Sequence, residues 1–389
     1  MKRSELPGET RVQLWSTDGG VPSNSEVPPE SHSAPHTDLE IEVQDDLASL
    51  AAEWDRLADR VGADLFARPG WIERWWSAFG VGRLEFLTAR RDGNLVALLP
   101  IERRGRLLRS PTNGHTPRFH LLAADMDARR SLAEAVFQRS GDRVSLSFLD
   151  PAGVDTFRAA ALAHRNRLLV ETIEDSPYLV IDGSWDEYEK RLDGKVVRDI
   201  RRRRRRLEEE GRVEFDLADG SERLAELLEE GFAIEGSGWK DDRGTAIASS
   251  PDTRRFYTDV AQWAAARDSL RLGFLRLDGR AIAFHYGVEE RGVYYLLKGG
   301  FDRNYDRFAP GRLLLRFMLE HSFSAGLRRY EFLGHDESWK LEWTDSCRRQ
   351  QRLQAFAPAT RSLVDWLALA YVRPAAAGGR ARIRRLLRR

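Results

Sequence analysis

LRLGFLRLDGRAIAFHYGV, residues 270–288, reads as a single β-hairpin. Two runs rich in apolar and aromatic side chains flank Asp278-Gly279-Arg280. Asp-Gly between such runs is a strong short-range hairpin signal, because the turns that match strand twist need positive φ, which glycine and aspartate tolerate. The first half of the chain carries the same plan: LEFLTAR and LVALLPI flank Arg91-Asp92-Gly93-Asn94. The match continues past the turn. Ala97 stands to Gly93 as Ala283 stands to Gly279, and Glu102-Arg103-Arg104-Gly105 parallels Glu289-Glu290-Arg291-Gly292 with one residue of slippage. Each hairpin leads, after a gap, to a helix and then to a strand ending in Phe-Leu, Phe148-Leu149 and Phe332-Leu333. This order predicts an internal duplication of an α+β unit of roughly 140–180 residues.

The rest of the chain fits around the two hairpins. At 389 residues it exceeds one typical core, and a guide of roughly 150 residues per domain allows two or three units. Residues 1–37, with the run VPSNSEVPPESHSAPH, hold breakers and almost nothing to bury and are expected to be disordered. Order is expected from Leu39, with a first domain over 38–182, a second over 183–357, and a helix with a basic tail over 358–389. In DLASLAAEWDRLADRV, Leu47, Leu50, Trp54 and Leu57 recur at helical spacing. In FARPGWIERWWSAFG, Trp71, Trp75 and Phe79 form an aromatic helix face suited to core packing.

Hydrophobic residues at 42% supply an interior, and a net charge of +1 gives no overall pull toward nucleic acid. Cys347 is the single cysteine, which excludes an intrachain disulfide and a cysteine metal cluster. No run approaches about 18 uninterrupted apolar residues and no secretory pattern opens the chain, so a cytoplasmic location is expected. The eight histidines lack metal-ligand spacing, and no Gly-x-Ser-x-Gly elbow marks a serine nucleophile. No metal is expected.

Residues 294–345, YYLLKGGFDRNYDRFAPGRLLLRFMLEHSFSAGLRRYEFLGHDESWKLEWTD, carry the most specific pattern. The elements that matter are Lys298-Gly299-x-Phe301-Asp302, then Pro310-Gly311 before a long helix, then a strand running into Asp336, Glu337, Lys340 and Trp343. Together with the Phe-x-x-Pro-x-Trp of Phe66–Trp71 and the basic helix near residue 206, this resembles the CelD/BcsL acetyltransferases of polysaccharide biosynthesis and their FemABX relatives. The resemblance spans residues 38–360. It implies an α+β, tandem GNAT (acyl-CoA N-acyltransferase) fold of two related mixed-sheet domains. It also implies transfer of an acetyl group from acetyl-CoA to an amine or hydroxyl of a sugar or cell-envelope precursor. The chain departs from single-domain GNAT enzymes at the phosphate loop, which here is Arg307-Phe308-Ala309-Pro310-Gly311-Arg312.

An acyl-CoA carries a pyrophosphate, and phosphate binds where backbone N–H groups converge at a helix N-terminus. The helix from Pro310 to Ser324, with proline at its first position, makes Arg307, Pro310, Gly311 and Arg312 the candidate donor-binding residues. Amine acylation needs a base and an acid. Asp336 and Glu337, in a glycine-containing turn after a strand, are candidate bases, with His285 and His335 as rivals, His285 in mid-strand also reading as a hydrogen-bonded structural histidine. Tyr295 or Tyr305 is a candidate proton donor to the leaving sulfur. Lys298, Asp302, Trp339 and Lys340 are candidate acceptor-binding residues, although Lys298 and Asp302 equally suit locking a loop, and Trp339 and Trp343 core packing. Arg198 and Arg202, in KVVRDIRRRRRRLEEEG, are candidates for anion recognition (a CoA phosphate, a nucleotide-sugar diphosphate or RNA) against the plainer reading of a solvated helix. The first half lacks counterparts of KGGFD and GHDE and is expected to be catalytically silent. Residues 380–389 hold six arginines with Ile383, Leu386 and Leu387 between them, a pattern suited to an anionic membrane surface. The competing readings are an aminoacyl-tRNA-dependent peptidoglycan transferase, which the FemABX resemblance implies, and a non-catalytic scaffold for polysaccharide synthesis.

Overall fold

A computed structural model describes residues 12–15, 38–237, 247 and 250–372. The chain forms two compact units: residues 1–72, 80–173 and 349–389 in the first, residues 73–79 and 174–348 in the second.

In the first unit, strand β1 (Val12–Trp15), β2 (Glu40–Gln44) and helix α1 (Leu47–Arg60) are followed by α2 (Pro69–Phe79), whose last seven residues belong to the second unit. Then come β3 (Arg83–Arg91), β4 (Asn94–Arg104), β5 (Leu107–Arg109), β6 (Leu122–Ala123), α3 (Met126–Gln138), β7 (Arg143–Leu149), α4 (Pro151–Ala163) and β8 (Arg167–Val180). The second unit holds α5 (Trp185–Arg191), α6 (Gly194–Glu208), β9 (Val213–Ala218), α7 (Leu224–Gly236), α8 (Pro251–Ala265), β10 (Leu270–Leu277), β11 (Arg280–Glu290), β12 (Val293–Phe301), α9 (Pro310–Ser324), β13 (Arg329–Glu331) and α10 (Ser338–Leu341). The chain closes with β14 (Cys347–Phe356) and α11 (Thr360–Leu367).

The hairpin pair is a true duplication. Asp92 and Gly93 turn β3 into β4 at φ 52° and 74°, and Asp278 and Gly279 turn β10 into β11 at φ 48° and 80°. Each second strand then bulges at the same place. Ala89 faces Ala97 while Arg90 faces Leu95, leaving Val96 extra; Leu275 faces Ala283 while Arg276 faces Ala281, leaving Ile282 extra. Each unit continues through a helix into a parallel strand pair, β5 with β7 and β12 with β13, so both sheets are mixed. The sheet of the first unit runs β2-β3-β4-β5-β7-β14 and that of the second β13-β12-β11-β10-β9. Leu99, Ile101, Leu132, Val136 and Phe157 lie in the core of the first unit; Ile282, Leu314, Met318, Tyr330 and Trp343 lie in that of the second.

Three sequence expectations change. Val12–Trp15, expected to be disordered, pairs antiparallel with Leu168–Glu171 of β8; the other residues up to 37 lie outside the described residues. The boundary expected at 182–183 falls inside β8, between Ile173 and Glu174. Residues 349–356, expected in the second domain, pair with β7 of the first unit, because strand pairing over such a sequence distance leaves no local trace. The C-terminal arginines 380–389 lie outside the described residues.

Candidate functional site

The two parallel strand pairs end differently. In the second unit β12 and β13 pair only from Val293↔Arg329 to Tyr295↔Glu331, and β12 then runs on to Phe301 without β13 beside it. On its other edge, Tyr286 faces Lys298 while Gly287 faces Leu296, so Leu297 bulges just beyond the parting. A bulge leaves its extra residue out of the ladder and re-aims neighbouring groups. In the first unit the corresponding edge is closed. Ser110 N–H donates to Ser145 O at 3.2 Å, Ser147 N–H to Ser110 Oγ at 2.9 Å, and Phe119 N–H to Phe148 O at 2.9 Å.

The Lys298-Gly299-Gly300 triplet has a steric explanation. His285 lies between Gly273 and Gly299 in the register of three strands. A Cβ on Gly299 would come 3.0 Å from His285 Cδ2, and one on Gly273 2.9 Å from Met318 Sδ of α9. His285, 5% exposed, therefore occupies the α9 face of the sheet in space that two glycines leave. Gly300 lets the opposite helix in: its Cβ would fall 2.5 Å from Glu235 Cα on α7. Lys298, on that α7–α8 face, sits with Nζ 5.5 Å from the centre of the Tyr257 ring.

Glu235 is fully buried, and its Oε2 accepts the Ile247 N–H at 2.8 Å. Burial, seconded by the Glu235 charge, pushes the Tyr257 phenol well above its ordinary pKa, so it stays protonated. Sequence reasoning missed Glu235. The available signal was its position, in helical register with Leu228 and Phe232 on the apolar stripe of α7.

α9 begins at the far end of that opened segment. Ala309, at φ 50°, precedes Pro310, no side chain caps the helix, and Gly311 packs against Phe301, where a Cβ would meet Cδ1 at 3.2 Å. An uncapped N-terminus presents partial positive charge. The flanking arginines are not free cations. Arg312 pairs with Asp199 at 3.1 Å and Glu342 at 2.7 Å, Arg307 with Glu210 at 2.9 Å. Arg312 thus ties α6 to α9 at the start of the helix.

The turn after β13 carries the expected bases. Leu333 and Gly334 both take left-handed φ, 55° and 63°. Lys340, 5% exposed, holds this turn from inside: Nζ donates to Leu333 O at 2.6 Å and His335 O at 2.9 Å and pairs with Glu337 at 2.8 Å. It positions the turn and is not an acceptor contact. Asp336 and Glu337 are exposed. Trp339 packs partly buried on the core and Trp343 is buried, in keeping with the plainer reading of that pair.

The remaining candidates are placed as follows by register and ion pairing. Tyr295 faces Val288, an odd number of residues from His285 along β11, so His285 and Tyr295 point to opposite faces of the sheet and do not form one acid–base pair. Asp302 is committed locally, capping Asn304 N–H at 3.0 Å and pairing with Arg280 at 3.0 Å. Arg202 pairs with Asp199 at 2.5 Å yet its side chain stays 61% exposed, and Arg198 is exposed. Among the described residues no group of His, Cys, Asp or Glu could hold a metal ion, and no helix is long and apolar enough to cross a membrane.

The sequence profile of the family described as "Acetyltransferase (GNAT) domain" matches residues 194–341. Comparison with curated protein sequences finds no match. Among solved structures, the C-terminal domain of a putative lysylphosphatidylglycerol synthetase from Agrobacterium fabrum aligns with a TM-score of 0.54 at 12% identity, over 83% of this chain and 97% of that one. FemX aligns with a TM-score of 0.54 at 11% identity, over 84% and 99%. A conserved protein of unknown function from Bacteroides thetaiotaomicron aligns at 0.52 and 14% identity, over 82% and 100%. At these identities the likeness speaks for the fold alone, and over residues 194–341 the matching profile makes it the GNAT fold.

Proposed function

We propose that residues 174–348 transfer an acyl group from acyl-CoA, with acetyl-CoA as donor, to an amine or hydroxyl of a sugar or cell-envelope precursor. One observation carries the reading. Within the span that matches the acetyltransferase profile, β12 parts from β13 where Leu297 bulges, and the opened strand leads to the uncapped start of α9. An extended thioester with a pyrophosphate at one end fits such a path: the pyrophosphate at the α9 N-terminus, the pantetheine along β12 beyond its pairing with β13, the thioester at the bulge. The acceptor nitrogen or oxygen attacks the thioester carbonyl, the new C–N or C–O bond forms, and the C–S bond breaks. His285 takes the proton that the acceptor loses and returns it to the departing CoA thiolate. Its support over Asp336 and Glu337 is its place beside Gly299, next to the bulge, whereas Glu337 is engaged by Lys340. Closure of the equivalent edge by Ser110 and Phe119 supports a first unit without a donor site of its own.

The sugar or envelope acceptor rests on the CelD/BcsL resemblance. The likeness to FemX favours a second reading, with aminoacyl-tRNA as donor, as the FemABX resemblance implies. Titration calorimetry and thermal shift with acetyl-CoA and with aminoacyl-tRNA separate the two. Micromolar binding of acetyl-CoA, with thiol release on adding amino sugars, supports the first. Stabilisation by aminoacyl-tRNA alone overturns it in favour of the second.

A further inference from the structure

The basic helix α6 borders the start of α9. Asp199 and Arg203 face it: Asp199 pairs with Arg312, and Arg203 Nη1 donates to Arg307 O at 2.7 Å. With 3.6 residues per turn, Arg202 and Arg206 occupy the adjoining rank of α6, on the solvent side of that contact. Both are exposed. Arg206 makes no ion pair among the described residues, and Arg202 shares the one Asp199 carboxylate with Arg203 and Arg312. Lys195 extends the rank and is also exposed. Arg201 and Arg204 lie elsewhere, Arg201 on Glu189 and Arg204 on Glu208 with its guanidinium over Phe215. The border of the α9 N-terminus is therefore a surface of uncompensated guanidinium charge, and no apolar side chain shares its rank.

We propose that Arg202 and Arg206 bind the 3′-phosphate of the CoA donor and so select CoA esters over their dephosphorylated analogues. The inference rests on the acyl-CoA reading above. With the pyrophosphate at the start of α9, the adenosine end leaves the cleft beside α6, and the 3′-phosphate is the strongest anion on it. Arginine suits that partner, because its fixed fork of donors matches phosphate oxygens. The half-buried ion pairs of Asp199 with Arg203 and Arg312 hold α6 in place, leaving the outer rank to the ligand.

Calorimetry of the full chain with acetyl-CoA and with 3′-dephospho-acetyl-CoA tests this, using wild type, Arg202→Gln/Arg206→Gln, and Arg204→Gln as an arginine-removal control elsewhere on the helix. Wild type and R204Q should prefer acetyl-CoA by ~10-fold or more, a ~1.4 kcal/mol difference. The double variant should bind both esters alike, with its affinity for the dephosphorylated ester unchanged, which also shows that it is folded. Equal binding of the two esters by wild type overturns the inference while leaving the acyl-CoA reading standing, as does a preference that survives in the double variant. Failure of wild type to bind either ester overturns the inference together with that reading.

Discussion

Lys340→Met isolates what holds the turn that carries Asp336 and Glu337. Methionine keeps the length and most of the packing of lysine, so the loss is electrostatic. The Nζ of Lys340 donates to Leu333 O, which is buried, at 2.6 Å and to His335 O, which is partly buried, at 2.9 Å. Leaving a buried acceptor unmade costs about 1–3 kcal/mol, and bonds from a charged donor stand at the upper end. The Glu337 pair adds little, because that carboxylate is 42% exposed and screened by water. Leu333, held at φ 55°, also loses the bond that stabilises a backbone state costing about 1–2 kcal/mol for a residue with a Cβ. The expected total is about 2–4 kcal/mol. For a unit of this size each kcal/mol moves Tm by roughly 2–4 °C, so thermal unfolding followed by circular dichroism should shift down by roughly 4–16 °C. Glu337→Gln should stay within about 1 kcal/mol of wild type. If the two variants cost the same, or if K340M unfolds like wild type, the carbonyl contacts do not hold the turn.

His285→Gln should lower the rate of acyl transfer by about 10²–10⁴-fold while acetyl-CoA binding, read by calorimetry, stays within a few-fold of wild type; an unchanged rate removes His285 from the chemistry. Gly299→Ala, whose Cβ would crowd His285 Cδ2 at 3.0 Å, should reduce kcat in the same assay. In the first unit burial opposes the charged imidazole of His120, but the Asp64 carboxylate at 2.9 Å outweighs it and raises its pKa. The stability this supplies is full below the unfolded histidine pKa, about 6.5, and disappears as pH rises through the higher folded value, so the denaturant-measured gap between wild type and His120→Gln should narrow from pH 6 to pH 9; a constant gap counts against it. Val364 and Leu367 stand 61% and 42% exposed on α11, ahead of the arginines at 380–389, so the full chain is expected to pellet with anionic vesicles, at about 1 kcal/mol per basic residue, and to release at high salt; equal pelleting after truncation at Pro374 rules that segment out.

What was legible in the sequence is what local chemistry determines. The two Asp-Gly hairpins and the start of α9 at Pro310 follow from residues adjacent in the chain, whose backbone preferences need no distant partner. Lys298-Gly299, Pro310-Gly311 and the acidic turn all lie in the second unit. What the sequence leaves out is how these charges pair. Arg312, Lys340 and Asp302 look in sequence like groups awaiting a ligand, yet each is satisfied by a partner on a different element or turn. Which way Tyr295 and His285 point is a matter of parity, since only the strand register shows that they face opposite ways. Glu235 escaped because a carboxylate on an apolar stripe reads as a solvated helix residue until the register of Gly300 brings β12 beneath it.

Beyond the shared plan, the two copies differ where their parallel strands end. Both copies keep the turn, the bulge after it and the parallel pair, which are properties of the hairpin and its sheet. They differ in the middle strand. β5 is three residues long, and the chain after it folds back so that Ser110, Thr112, Thr116 and Phe119 are buried and Ser110 and Phe119 bond to the free edge of β7. β12 is nine residues long, outruns β13, and turns away only at Asp302. An exposed strand edge is a set of unmet donors and acceptors that some group must satisfy. The first unit lines β7 with its own chain, whereas in the second β12 runs past the end of β13 toward a bulge and a helix N-terminus. The two copies thus differ in strand length and in one fold-back segment, with no change to the underlying unit.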